Sequence, residues 1–381
     1  METERSQKEM LHVGRPNLGD VDVFKQLVDQ IFENRWFTNS GELVREFETR
    51  LCEYLGVRNC IPVCNGTVGL QIAAHALGLT GEVILPAFTF VATAHALQWE
   101  GIKPVFCDIN VDNHDIDPSK IDSLITDRTS AIMGVHIWGR PCNTDAIQEI
   151  ADRRDLIVMY DAAHAFGCKQ QGQMIGNFGR CEVFSFHATK FFNTFEGGAI
   201  ATNDDELAAK IRLMKNFGFA RMDEVIHLGT NGKMPEICAA MGLACFEKLD
   251  EVVSTNRRNF EEYRQGLDGI PGIRLISFDE IEMANWQYVV IEVDQGRTGV
   301  SRYDLMQHLH KNSVRARRYF YPGCHRMEPY CSLYPDQTSV LPRTDELCDR
   351  VLELPTGSAI SIADVNYVCE VIRQHVPGTS S

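Results

Sequence analysis

The chain runs to 381 residues, 44% hydrophobic and 23% charged, which is ordinary for a globular protein and enough for roughly two to three domains with a sizeable core. Its formal net charge of -15 argues against nucleic acid or an anionic membrane surface as a partner, since both need a basic stripe, so an anionic ligand is expected to be small and met locally. The charged N-terminus and the lack of an apolar run near the ~18 residues of a membrane span point to the cytoplasm, and 13 scattered cysteines without a C-x-x-C pair point to reduced core thiols rather than a metal site.

Leu11 to Asp20 contains Gly14, Pro16 and Gly19 and reads as the end of an arm, residues 1–20, ahead of a first helix from Val21 to Asn34. Arg35 to Gly41 breaks that helix with turn formers while presenting Trp36 and Phe37, which suit either a buried staple or a ligand loop. Glu42 to Leu55 places Leu43, Phe47, Leu51 and Leu55 at helical spacing. Next comes a short strand, Asn59 to Val63, a tight turn through Gly66 and Thr67, and a helical run from Val68 to Leu77. The start of such a helix offers free N–H groups and a positive dipole end to an anion, although Asn65 and Thr67 also serve as plain helix caps. Strands are expected at Glu82–Pro86, Lys103–Cys107, Ser130–Val135 and Leu156–Tyr160, with helices running to Trp99 and from Thr144 to Arg154. This alternation predicts an α/β fold with a mainly parallel sheet, whose ligands gather at the carboxyl ends of the strands.

That rule singles out Asp161, directly after the strand Leu156–Tyr160, with His164 close behind it. Asp161 caps the next element or, functionally, keeps a pyridine nitrogen protonated. Further on, Ser185-Phe186-His187-Ala188-Thr189-Lys190 is followed by Phe191, Phe192 and the turn Gly197-Gly198, ahead of a strand from Ala199 to Thr202. A lysine among Phe186, Phe191 and Phe192 is expected to be desolvated, more readily neutral, and suited to a Schiff base; a snorkelling surface lysine is the plainer reading.

Three stretches together, Phe88-Thr89-Phe90-Val91-Ala92-Thr93, Asp161-Ala162-Ala163-His164-Ala165 and Ser185 to Lys190 with Glu196-Gly197-Gly198, resemble the DegT/DnrJ/EryC1/StrS sugar aminotransferases, and most nearly those that aminate C-4 of dTDP-4-keto-6-deoxyglucose. The resemblance runs from about Arg35 to Pro355. It implies a fold-type-I architecture: a large domain over 21–250 with a mainly parallel seven-stranded sheet, and a smaller C-terminal α+β domain over 251–381. It also implies pyridoxal 5'-phosphate as cofactor. Lys190 would then carry the Schiff base and shuttle protons, and Asp161 would pair with the pyridine nitrogen. Phe88 matches the ring-stacking aromatic, Gly66, Thr67 and Ser185 the phosphate contacts, and His164 the residue beside the ring oxygen. Asn231 matches an asparagine that reaches the phosphate of a neighbouring subunit, which implies a homodimer with shared sites. Gly232 and Lys233 depart from the aromatic and arginine that many members carry there, and we read this as a mark of the subgroup.

In the C-terminal part, Tyr288 to Glu292 reads as a strand, and Arg315 to Pro322 is the densest basic patch, interleaved with aromatics. It is a solvated strand edge or, as the resemblance implies, the place where Arg317 and Tyr319 meet a nucleotide-sugar, with His325 closing the pocket and Trp36 and Phe37 contributing from their loop. The expected activity is transfer of an amino group, with L-glutamate as donor, to C-4 of the dTDP-linked ketosugar. A C-3 aminotransferase of the same family and a catalytically silent nucleotide-sugar sensor are the alternatives.

Overall fold

The computed structural model describes residues 10–337 and 341–377; the first nine residues of the expected arm and the last four of the expected small domain lie outside the described residues. Seven strands form the central sheet: β1 (Asn59–Val63), β2 (Glu82–Pro86), β3 (Lys103–Cys107), β4 (Thr129–Val135), β5 (Ile157–Asp161), β6 (Cys181–Ser185) and β7 (Gly198–Thr202), in the spatial order β1-β7-β6-β5-β4-β2-β3. All neighbouring pairs are parallel except those of β7, which runs antiparallel to both β1 and β6. The seven strands and their mainly parallel arrangement are those expected. Almost every residue of β2, β6 and β7 is buried, as a sheet covered on both faces requires.

Each face has its own core. On one side the helix α3 (Gly66–Ala76) lays Leu70, Ile72, Ala73 and Ala74 against Val83, Leu85, Met133 and Met159. On the other, α1 (Val21–Asn34), α2 (Glu42–Leu55) and α4 (Glu236–Phe246) surround an aromatic cluster of Phe47, Phe166, Phe184, Phe186 and Phe192. Helix α2 carries the periodic stripe read from sequence, Leu43, Phe47, Leu51 and Leu55, all buried. Its start is fixed by a remote side chain: the buried Glu236 accepts from Gly41 N at 2.7 Å and from Leu43 N at 2.9 Å. A carboxylate in that place satisfies orphan donors and favours the positive end of the helix.

A three-stranded antiparallel sheet, β8 (Ile273–Leu275), β9 (Val289–Val293) and β10 (Val351–Leu354), forms the smaller unit, with α5 (Leu249–Leu267) and α6 (Ile362–His375) against it. The expected boundary at residue 250 falls inside α5, whose Leu249 and Val252 belong to the large core and whose Phe260, Tyr263 and Leu267 belong to the small one. One stretch of the expected small domain returns to the large sheet. Cys324 N donates to Ala87 O at 2.9 Å, and Tyr330 is buried beside Phe106 in the large core. The arm does the reverse: Leu11–His12 pairs in parallel with Val314–Arg315 of the smaller unit. No helix among the described residues is long and apolar enough to cross a membrane.

Candidate active site

A cavity of about 520 Å³ opens at the carboxyl ends of β1, β4, β5 and β6, where the arm and the smaller unit also converge. The turn after β1 builds its first wall. Asn65 caps α3 by accepting from Val68 N at 2.8 Å, so the capping role is real. The earlier N–H groups, those of Gly66 and Thr67, have no intrahelical acceptor and lie at the cavity. Glycines keep the turn tight: a Cβ on Gly66 would sit 3.1 Å from Ser185 Cβ, and one on Gly198 would sit 2.8 Å from Gly66 N. Thr67 and Ser185 add two hydroxyls to this donor-lined notch, which has the chemistry of an anion site.

Asp161 ends β5 with its carboxylate buried, accepting from Thr93 Oγ1 at 2.8 Å and from Ala163 N at 3.0 Å. Burial pushes its pKa up; the two hydrogen bonds and Lys190 pull it back. Lys190 reaches the same cavity, its Nζ 3.2 Å from the hydroxyl of Tyr288. Burial pushes the amine down to about 8, against the opposing pull of Asp161 and Glu353. The desolvation was expected from Phe186, Phe191 and Phe192, but those rings turn into the core around Phe166. It is Tyr288, from the smaller unit, that meets the amine. His164 stacks on Tyr288 with ring centroids 4.3 Å apart and accepts from Trp138 N at 3.3 Å; burial keeps its pKa well below the ordinary value, so it is neutral.

Ser185, Lys190, Asp161, His164, Gly66, Thr67, Arg317 and Tyr319 all line this one cavity. Arg317 lies flat over Tyr319, 4.4 Å from its ring centre. Three expectations come out differently, whereas Asn231, expected to serve a partner's site, lies outside its own. Phe88 is 0% exposed and packed edge-on to Trp138 and Phe320, so it cannot present a face to a ligand; Phe90, two residues on, is 51% exposed and lines the cavity instead. His325 is buried outside the cavity, its Nε2 3.0 Å from Asp345 Oδ1, because the charged Arg326–Asp345 pair beside it leaves that imidazole a local partner. Trp36 and Phe37 sit on the outer face between α1 and α2, where Phe37 packs edge-on to Phe32 and Trp36 Nε1 donates to Thr38 O. Neither reaches the cavity of its own chain. Asn231 is exposed and also lies outside it, although the next residue, Gly232, accepts from Cys64 N at 2.8 Å and so runs beside the anion notch.

Sequence reading missed the contribution of the 285–288 segment. Gln287 clasps the lysine loop, accepting from Phe191 N at 2.8 Å and donating to Thr189 O at 2.6 Å, while Asn285 donates to the carbonyls of His164 and Phe166. The polar run Asn285-Trp286-Gln287 ahead of an apolar strand was the only local signal of it.

A buried amine whose pKa is pushed down to about 8, in one cavity with a buried carboxylate, suits condensation with a carbonyl, and with an anion notch at the same strand ends it points to an α/β enzyme built around a lysine-bound, phosphorylated cofactor. Residues 20–373 match the model of the DegT/DnrJ/EryC1/StrS aminotransferase family, and the chain belongs to that family. It is 39% identical to the dTDP-4-amino-4,6-dideoxy-D-glucose transaminase of Shigella dysenteriae over 96% of this chain and 98% of that one. Its fold matches the crystal structure of DesI in the presence of its TDP-sugar product with a TM-score of 0.92 and 45% identity, covering 98% of this chain and 94% of that one. NtdA from Bacillus subtilis with bound cofactor PMP matches with a TM-score of 0.87 and 28% identity, over 98% of this chain and 86% of that one.

Proposed function

We propose that the protein is a pyridoxal-5'-phosphate-dependent transaminase that carries an amino group from L-glutamate to C-4 of dTDP-4-keto-6-deoxy-D-glucose, giving dTDP-4-amino-4,6-dideoxy-D-glucose. The observation that carries this reading is the convergence of Lys190, Asp161 and the Gly66–Thr67 notch on one cavity, in a chain so similar to transaminases of that product. The residues present fit the cofactor. Its phosphate would be held by the N–H groups of Gly66 and Thr67 and the hydroxyls of Thr67 and Ser185, at a notch that a Cβ on Gly66 would crowd. Phe90 and His164 would flank its ring, and the carboxylate of Asp161 would hold its nitrogen.

Bound there, the cofactor supplies the electron sink that lets a proton leave the donor's α-carbon. The rest is done by the chain. Asp161, oriented by Thr93 and Ala163, keeps the ring nitrogen protonated. Lys190, with a pKa near 8, gives and takes a proton at the reacting carbon with little penalty either way. Tyr288 holds the amine in place through its hydroxyl, and Gln287 pins the loop that carries it. Arg317 and Tyr319 offer a cation and a flat face to the nucleotide end of the sugar. Position on the sugar ring is then a matter of how that end is anchored relative to Lys190, because 3- and 4-ketones are similarly electrophilic.

The working form is a homodimer in the cytoplasm, with Asn231 completing the phosphate site of the partner subunit. Support comes from the exposure of Asn231 beside the notch and from an apolar surface nearby that includes Phe217, Phe219 and Leu228. The test offers the 4-keto and 3-keto nucleotide sugars separately with L-glutamate and locates the new C–N bond by NMR. Amination of the 4-keto sugar at C-4 is expected. A product aminated only at C-3 would overturn the regiochemistry, and a protein that binds nucleotide-sugar but shows no borohydride-reducible absorbance would be the silent sensor.

A further inference from the structure

Glu353 enters the Lys190 cavity from β10, and its backbone exchanges two hydrogen bonds with Arg317, of 3.0 and 2.7 Å, so that a carboxyl and a guanidinium are delivered by paired residues. It is only 5% exposed, and its Oε2 has no hydrogen-bond partner among the described residues. Unpartnered buried polar atoms are rare because their desolvation goes uncompensated. Here three of them share one place. A second, small cavity of about 10 Å³ lies behind Glu353, next to the arm and the lysine loop, and is lined by Glu353, Asn256 and Thr356. Asn256 Oδ1 and Thr356 Oγ1 are likewise buried without partners. That volume suits about one water, and a water takes two to four polar partners.

Glu353 takes no part in the proton transfers, yet it lines the same cavity as the reacting amine and the Arg317 cation. Burial pushes its carboxyl up to about 8, against the pull of Lys190 and Arg317, which favours the protonated form, one that both donates and accepts. Such a group suits a sugar hydroxyl, which also does both. It is a poor partner for the carboxylates of an amino donor, which would lose water to meet it and gain no charge.

Resting on the transaminase reading, we propose that Glu353 is a specificity-determining residue: a water shared with Asn256 and Thr356 fixes one carboxyl oxygen, and the carboxyl binds a hydroxyl of the ketosugar between Lys190 and Arg317. The consequence is selective. Loss of the group should weaken the sugar and leave the donor half of the reaction much less affected.

The test uses the holoenzyme in three variants, E353L, E353Q and T356V. The half-reaction with L-glutamate is followed by the cofactor's absorbance, and sugar affinity by the KM for dTDP-4-keto-6-deoxyglucose and by calorimetry with the dTDP-4-amino sugar. E353L should raise the ketosugar KM by about ten- to a hundredfold, the loss expected for an unpaired polar contact, while the glutamate half-reaction falls far less. E353Q, which keeps the shape and a donor, should recover most of that affinity. T356V removes only a partner of the water and should give a smaller shift in the same direction, which keeps the question open to an answer if E353L fails to fold. An unchanged sugar affinity in E353L and T356V, or a loss confined to the glutamate half-reaction, overturns the inference. A wild-type protein that binds and converts no dTDP-ketosugar would instead overturn the substrate assignment, and this assignment with it.

Discussion

Replacing Asp161 by Asn separates a structural cap from a cofactor partner, because the two roles predict opposite signs. The amide has the same shape. Its oxygen can still accept from Ala163 N, now 3.0 Å from Asp161 Oδ1, and its NH₂ can donate to Thr93 Oγ1, whose own proton has Phe90 O within 3.0 Å. No buried polar atom is orphaned, so the cost in hydrogen bonds is about 1 kcal/mol at most. Against it stands a gain. Burial raises the folded pKa of Asp161 above its unfolded value, so its contribution to stability is fully present below the unfolded pKa and is lost as pH rises through the folded one. At pH 7 the wild-type apoprotein therefore bears a burial penalty on Asp161 that Asn lacks. Apoprotein Tm should be unchanged or higher in the variant. With cofactor bound, the variant breaks a buried charge pair with the protonated ring nitrogen, a loss of about 3–5 kcal/mol, or between two and nearly four orders of magnitude in the rate of the half-reaction with amino donor. Differential scanning calorimetry of apo and loaded protein, with single-turnover absorbance, reads both. A destabilised apoprotein with a near-normal rate would show Asp161 to be a cap and refute the argument.

Lys190→Ala should lower turnover by at least about a hundredfold to ten-thousandfold in steady-state assays, while apoprotein Tm at pH 7 holds or rises, because the amine's folded pKa of about 8 lies below its unfolded value and its charged form is disfavoured by burial. Mixing inactive Lys190→Ala with a defective Asn231→Ala variant should restore activity in one site per exchanged heterodimer; no recovery despite demonstrated exchange places Asn231 elsewhere. Phe90→Ala should weaken cofactor retention, measured by dialysis and absorbance, with the fold intact, whereas Phe88→Ala should cost about 3–5 kcal/mol in denaturant unfolding because it empties a fully buried site. Glu236→Ala leaves the N–H groups of Gly41 and Leu43 without their acceptor and should destabilise by about 2–5 kcal/mol in the same assay, with weakened amide protection at the start of α2.

What was legible in the sequence follows from how far each signal reaches along the chain. Helices α1 and α2 and strands β1, β2 and β3 have the bounds read from periodicity, because an apolar stripe or a buried run is a property of consecutive residues. Asp161 and the Gly66–Thr67 turn were legible because each ends or follows a strand, and a parallel sheet gathers its strand ends on one side; Ser185 came only with the resemblance. Phe88 was matched through the resemblance rather than by this rule, and Phe90 takes the place expected of Phe88. Two residues apart, they would share a face of a strand, but β2 ends at Pro86 and Phe90 is the residue before the helix Val91–Trp99, so the chain turns between them and sends one ring inward and the other to the cavity. His325 failed because its partner, Asp345, lies on another element, and nothing local distinguishes a paired histidine from a free one. Tyr288, Gln287 and Glu353 were illegible for a deeper reason. They meet Lys190 and its loop only because the smaller unit is docked on the larger, across 98 residues for Tyr288. An ordinary strand pattern gives them no mark as site residues. The residues proposed to hold the cofactor thus lie where the sheet's own rule puts them, whereas those that clamp the lysine, and the one proposed to meet the sugar, depend on how two cores meet. Differences in substrate choice among chains that share Lys190 and Asp161 should accordingly concentrate at that junction, in positions such as 317, 319 and 353.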